Sequence, residues 1–306
     1  MMTYDVTTRD RVELTRLAQP PAANAPPEEH LRFAEALVLL RSHFGDSPGS
    51  VAQTVIDVTT RVIEGPIAPP MQASARATRG FARYVLQYDW HGAKQDFDAA
   101  VGYGPSSLVH LWRADFFTAL ACHDEAIAEI GEVTSNAPIV ERDRARAHYF
   151  ARNYDEAISI LTRLLQREPD FAPARALLGR AYVQRGNPDR GVAELLRAGS
   201  GYEAILAWAY ACAGLRGDAE EVLGSLVADP ASKGVLPYEI ALVHLALGHI
   251  DEALTWLRIA YEQRDPSMTD LATDPALDGL RNDDRYRVLV REVGFPLVFF
   301  IRRRNP

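Results

Sequence analysis

The stretch Leu178–Leu195, LGRAYVQRGNPDRGVAEL, decides the fold, because it places two short helical patterns on either side of a turn. Within it, the small residue Gly191 is followed four positions later by the large apolar residue Leu195. The separations between successive copies of this pair are 33, 31, 34, 28 and 34 residues, which indicates one helix-turn-helix unit repeated along the chain. The pair recurs six times, with its small residue at Ala93, Ala126, Ala157, Gly191, Ala219 and Ala253.

The repeat has a steric explanation. A small residue is needed where two helices cross closely, and an aromatic or histidine side chain nine residues earlier fills the adjacent layer. Leu178, Gly179 and Tyr182 also have the L-G-x-x-Y spacing of the tetratricopeptide repeat, whose period is 34. Each turn between the paired helices carries an Asp or Asn that we expect to cap the second helix. We therefore predict an all-α, right-handed α-solenoid of about six tetratricopeptide repeats with helical caps.

The chain divides into five predicted parts. Residues 1–27 are polar and proline-containing, which favours a flexible, non-helical arm. Residues 28–69 hold two amphipathic stretches that predict an N-terminal helical cap, and residues 70–265 form the solenoid. Residues 266–296 predict a C-terminal cap of two short helices over the last repeat. The tail, 297–306, has five apolar residues followed by three arginines.

Two segments carry a more specific resemblance. YVLQYDWHGAKQDFDAAVGYGP (84–105) and the closing segment 238–296 are similar to the repeat modules that follow winged-helix, nucleotide cyclase or serine/threonine kinase domains in bacterial proteins. This resemblance covers about residues 70–296 and implies a sensory or protein-interaction module. The sequence itself contains no winged-helix, kinase or cyclase signature, so the regulatory output of those proteins does not transfer to it.

Composition excludes several classes of function. The net charge of -8 and the pI of about 5.5 disfavour nucleic acid as a partner, because binding to duplexes depends on neutralising phosphates. No apolar run approaches the ~20 residues that span a bilayer, so we predict a soluble, cytoplasmic protein without a membrane partner. Cys122 and Cys212 are expected to be buried free thiols. Their spacing and that of the histidines indicate no metal site, and no cofactor is predicted.

The first helix of each repeat is expected to line a concave groove. Arg142 and Arg146 are four residues apart on one helix face, and Arg180 follows Arg146 by one repeat, which predicts a basic patch with aromatic flanks. Arginine forks suit carboxylates or phosphates. The alternative is that these arginines are solvated or paired with Asp115, Glu141 or Asp143. The predicted groove residues are Asp115, Arg142, Arg146, Tyr149, Arg180, Gln184, Trp208 and Tyr238.

These features favour non-catalytic binding of a protein or peptide, in particular an acidic one, in the groove. Two alternatives remain: a sensor of a small anionic ligand, and an enzyme that uses the groove as its active site. No nucleophile, acid-base pair or other catalytic set follows from the spacing. The apolar tail must dock somewhere, either on the last helices of its own chain or on a second subunit to form a homodimer.

Overall fold

Helices and turns, without a β-strand, make up the described part of the chain in the computed structural model. The structure describes residues 8–44, 51–104, 106–228, 230 and 234–296. The chain divides into two compact units, the first formed by Met1–Ser135 with Gly294–Pro306 and the second by Asn136–Val293. The predicted all-α fold is confirmed. The tail, 297–306, lies outside the described residues.

Consecutive helices of the first unit pack in pairs, α2 on α3, α4 on α5 and α6 on α7. The helix α4 continues into one π-helical turn, Arg83–Gln87. The helices of this unit are α1 (Thr8–Leu17), α2 (Pro27–Phe44), α3 (Val51–Glu64), α4 (Pro69–Ala82), α5 (Trp90–Gly102), α6 (Ser107–Ala119) and α7 (His123–Gly131).

The N-terminal helix α1 corrects the prediction of a non-helical arm. Residues 8–17 are helical, and α1 packs on α2 with Leu14 buried. The prolines that suggested an arm, Pro20 and Pro21, come after the helix, so they end it without preventing it.

The second unit continues the pattern, with α8 packed on α9, α10 on α11, α12 on α13 and α14 on α15. The segment predicted as a C-terminal cap forms a 3₁₀ helix, Pro275–Leu280, and α16, with a further 3₁₀ helix, Pro266–Asp270, before them. The helices are α8 (Pro138–Phe150), α9 (Tyr154–Arg167), α10 (Ala172–Gln184), α11 (Pro188–Ala198), α12 (Glu203–Cys212), α13 (Arg216–Ala228), α14 (Pro237–Ala246), α15 (Ile250–Glu262) and α16 (Asp284–Glu292).

The small residue of each repeat lies where its two helices cross, as predicted. The five alanines at this position are fully buried. At the glycine of the series, the crossing is closer still: a Cβ on Gly191 would lie 2.8 Å from the carbonyl oxygen of Gly179 on the facing helix. Only a residue without a side chain fits there.

The predicted caps form at one of the turns between paired helices. The Asp89 carboxylate accepts a hydrogen bond from the Gly92 backbone N–H at 2.8 Å. Asn153 and Asn187 occupy the same position before α9 and α11 but make no side-chain cap bond. The acidic residues of those turns instead lie inside the first helical turn, where carboxylates interact favourably with the helix dipole.

Candidate functional site

The second unit aligns its first helices side by side, since α8 packs on α10, α10 on α12 and α12 on α14. Helix propensity and the crossing residues set this arrangement, and it brings repeat-equivalent side chains onto one surface. Seven of the eight predicted groove residues belong to these helices: Arg142, Arg146, Tyr149, Arg180, Gln184, Trp208 and Tyr238.

The chain's own aspartates bind two of the predicted arginines. The Arg146 guanidinium donates to both carboxylate oxygens of Asp270, at 2.9 and 3.0 Å. The Arg180 guanidinium donates to Asp274 at 2.8 Å. The Tyr238 hydroxyl donates to the same Asp274 oxygen at 3.2 Å. These two arginines thus pair with carboxylates, which was the alternative to a role in ligand binding. Their partners are Asp270 and Asp274, whereas the sequence suggested Asp115, Glu141 or Asp143.

The predicted aromatic residues form the floor under these ion pairs. The Arg180 guanidinium lies over the Tyr149 ring, 5.1 Å from its centroid. Tyr149, Trp208 and Tyr238 are 0%, 2% and 3% exposed. Burial raises the pKa of both Tyr149 and Tyr238 above the ordinary value, so both phenols are neutral at pH 7. These rings hold the arginines in place and present little surface to solvent.

The partners of the arginines come from one segment, residues 265–278, which we call the acidic segment. Asp265 and Asp274 each precede a proline and cap the 3₁₀ helix that follows, by accepting from the backbone N–H of Ser267 and of Ala276. The segment is firmly packed, with Asp274 only 1% exposed. Sequence reasoning missed its role. The two Asp-Pro pairs were the available signal, because Asp followed by Pro is an N-terminal helix signature.

Carboxyl groups also surround the remaining polar residues of the groove. Arg142 pairs with its chain neighbour Asp143 at 3.0 Å. Burial raises the pKa of Asp143, with Arg142 and Arg146 opposing the rise. Burial also raises the pKa of Glu239 on α14 to about 7, and the nearby Asp265 adds to this effect. For both carboxyls, the effect of burial exceeds that of the nearby arginines, which favour the ionised form.

The last two predicted residues, Gln184 and Asp115, make none of the bonds described above. Gln184 is half-buried near the end of α10. Asp115 is half-buried on α6, in the first unit.

Of the two cysteines, Cys122 is half-buried and Cys212 is exposed, contrary to the expectation that both are buried.

Two other kinds of site are absent from the described residues. No group of three or more His, Cys, Asp or Glu side chains there is arranged to hold a metal ion. In the same part of the chain, no helix combines the length and apolarity needed to cross a membrane.

Comparisons with known proteins agree with this architecture. The tetratricopeptide repeat family matches residues 151–201. No curated protein matches the sequence. The chain is similar in structure to a Rap protein complexed with competence and sporulation factor, with a TM-score of 0.57, 11% identity and coverage of 96% of this chain and 91% of that chain. It is also similar to the human IFIT1 dimer with PPP-AAAA, with a TM-score of 0.57, 17% identity and coverage of 96% and 76%.

At these identities the structural likeness shows the fold alone. The resemblance to the modules of bacterial regulators stays a prediction. The family match spans α9, α10 and α11, and it includes the crossing of α10 and α11 at Gly179 and Gly191. Residues 151–201 therefore match a tetratricopeptide repeat, and the described residues have the all-α solenoid fold that such repeats form.

Proposed function

We propose that this protein is a non-catalytic interaction module that binds a peptide or protein partner in the groove of its second unit. The repeat fold supports the proposal, because stacked helical pairs create an extended surface that suits a macromolecule better than a small substrate. The observation that carries it is the row of half-buried polar side chains on α8, α10 and α14, which includes Arg142, Gln184 and Glu239.

The charges of the groove bear on the partner's chemistry. The sequence predicts an acidic peptide as the partner. In the structure, however, the acidic segment of the same chain already supplies carboxylates to Arg146 and Arg180. The raised pKa of Glu239 marks a carboxyl that a positive charge would stabilise. We therefore favour a partner that places a basic side chain near Glu239, with an acidic group at Arg142 as the competing possibility.

The alternative of a small anionic ligand has weaker support. A free anion would have to displace Asp270 from Arg146 or Asp274 from Arg180. Asp274 also caps a 3₁₀ helix and accepts from Tyr238, so its removal would leave several groups without their hydrogen bonds.

Quantitative binding of a co-purified partner tests the proposal. The partner is identified by mass spectrometry, and its affinity is then measured for wild type and for the near-isosteric variants Glu239→Gln and Arg142→Gln. Arg163→Gln is the matched control, because Arg163 is exposed on α9, a second helix. We expect Glu239→Gln to weaken binding about tenfold, the typical effect of losing one charged contact.

Arg163→Gln should leave the affinity unchanged, and thermal melting checks that every variant folds. Weakening by Arg142→Gln alone would indicate the acidic partner instead. Equal affinity of all three variants would contradict the use of this groove.

A further inference from the structure

The first unit contains a cavity that the proposed function does not use. Its volume is about 560 Å³, within the roughly 300–1,000 Å³ of pockets that take small ligands or several side chains. Turns and ends of α5, α6 and α7 form its walls, together with the chain just after α16. Its apolar lining residues are Tyr88, Trp90, Phe116, Phe117, Leu120 and Pro296.

The last described residues lead into this cavity. The Phe295 ring packs on Trp90 with 4.6 Å between ring centroids and an angle of 32° between the rings. Phe295 is buried, and its neighbours Gly294 and Pro296 belong to the cavity wall. The described chain therefore ends at the cavity wall, at Pro296.

The next five residues, Leu297–Ile301 with the sequence LVFFI, are all apolar. We propose that the cavity is the docking site of this segment of the same chain. Burying one Leu, Val, Ile or Phe side chain contributes about 1.5–3 kcal/mol, so an aromatic cavity beside Pro296 is a favourable place for the run.

Charge supports the same occupant. Asp89 and Glu125 line the cavity, where Asp89 also caps α5 and lies 3.8 Å from the Arg83 guanidinium, and the apolar run is followed directly by Arg302, Arg303 and Arg304. The single lysine of the lining, Lys94, pairs with Asp98 on its own helix. An apolar segment with a basic end thus complements an apolar cavity with carboxylates on its wall.

Covalent continuity favours the same chain over a second copy. Because Pro296 is part of the wall, the covalent link gives the segment that follows it a high effective concentration for docking in the cavity. A tail from another copy would have to overcome the entropy lost on association.

Disulfide trapping in the full-length protein tests the proposal, since Cys122 is a natural half-buried cavity residue. In a Cys212→Ser background, a cysteine is introduced in turn by Val298→Cys, Phe299→Cys and Phe300→Cys. After mild oxidation, we expect at least one variant to form an intramolecular bond to Cys122. The bond is identified by peptide mass mapping and by its migration as a monomer on non-reducing gels.

The matched control carries Cys122→Ser and retains Cys212, which does not line the cavity. Circular dichroism confirms that each variant folds. A bond to Cys212 as abundant as the bond to Cys122 would show indiscriminate contact and overturn the proposal. Bonds found only between two chains would assign the cavity to a second copy, and absence of a bond at all three positions would show that the segment docks elsewhere.

Discussion

One backbone position repeats throughout the solenoid with a positive φ angle. It lies five residues before the small crossing residue, at the turn between the two helices. Glycine adopts this left-handed conformation without strain, whereas other residues adopt it at a cost of roughly 1–2 kcal/mol. The residues at this position are Tyr88, Ala121, Arg152, Gly186, Gly214 and Gly248, with φ between 54° and 87°.

Exchange of alanine and glycine at this position should change stability in opposite directions. We expect Ala121→Gly to raise the free energy of unfolding by about 0.5–1 kcal/mol, because relief of strain exceeds the added freedom of the unfolded chain. Gly186→Ala should lower it by about 1 kcal/mol, although a Cβ there would meet no atom within 4 Å. Urea denaturation measures both values, and changes of the same sign would contradict the conformational explanation.

The second prediction for a single side chain concerns Glu239 and the pH dependence of stability. Its pKa is about 7 in the folded protein, because of burial, and about 4.3 in an unfolded chain. Between these values the folded state binds a proton that the unfolded state does not, so this residue makes the protein more stable as pH falls. Glu239→Gln should remove this pH dependence. The free energy of unfolding of the variant should therefore exceed that of wild type by a larger amount at pH 8 than at pH 5.

The difference is expected to be about 1–2 kcal/mol, after allowance for partial solvent exposure. Urea denaturation of both proteins at the two pH values measures it. Burial lowers the pKa of His148 and His244, so these residues make the protein less stable as pH falls. Both histidines are present in wild type and variant, so their effect cancels in the difference between the two proteins. A constant difference between variant and wild type would show that Glu239 is ionised in the folded state.

The crossing of α10 and α11 is the most demanding contact between paired helices. A Cβ on Gly191 would lie 2.5 Å from Val183 Cγ2 and 2.8 Å from the Gly179 carbonyl oxygen, so the helices must separate. We expect Gly191→Ala to lower the free energy of unfolding by about 1–3 kcal/mol despite the better helix propensity of alanine. Gly224→Ala, at an exposed position of α13, is the control and should be neutral or stabilising. Equal effects in chemical denaturation would show that the crossing tolerates a methyl group.

Ion pairs between paired helices also follow the repeat, and sequence analysis did not identify them. In three of the six repeats, the residue three positions after the small residue is acidic and pairs with an arginine on the preceding helix. The pairs are Asp96 with Arg79, Glu129 with Arg113 and Glu194 with Arg175. The regular spacing of the acidic residue was a usable signal, because residues i and i+3 lie on one helix face.

Helices and crossings were thus predictable, whereas caps were not. The small and large residues reveal the helices because their spacing reflects packing within one repeat. A cap depends on the backbone angles of a single residue, and Asn153 and Asn187 show that a suitable side chain in the right turn is not sufficient.

The partner of the groove arginines could not be predicted, because it depends on how the repeats stack. Arg180 and Asp274 are 94 residues apart, and Arg146 and Asp270 are 124 apart. Periodicity correctly placed the arginines on the first helices of their repeats. It contains no information on where residues 265–278 run after the last repeat, so the segment was predicted only as a cap.

This segment changes how the second unit should unfold. Contacts in a simple repeat array connect neighbours only, so terminal repeats open independently. Here the acidic segment bonds to α8, α10 and α14, which couples helices that are distant in sequence. We expect hydrogen exchange in α8 and α10 to occur in one cooperative opening of the unit.

The double variant Asp270→Asn, Asp274→Asn should break that coupling. Each substitution weakens a partly buried ion pair, and removal of one partner of such a pair typically costs a few kcal/mol. Hydrogen exchange followed by mass spectrometry should then show α8 exchanging faster than α10 and α11, which keep their glycine crossing. Asp278→Asn is the control, since Asp278 pairs with Arg152 in an exposed position and should have little effect. Unchanged exchange in α8 of the double variant would mean that neighbouring repeats alone stabilise the unit.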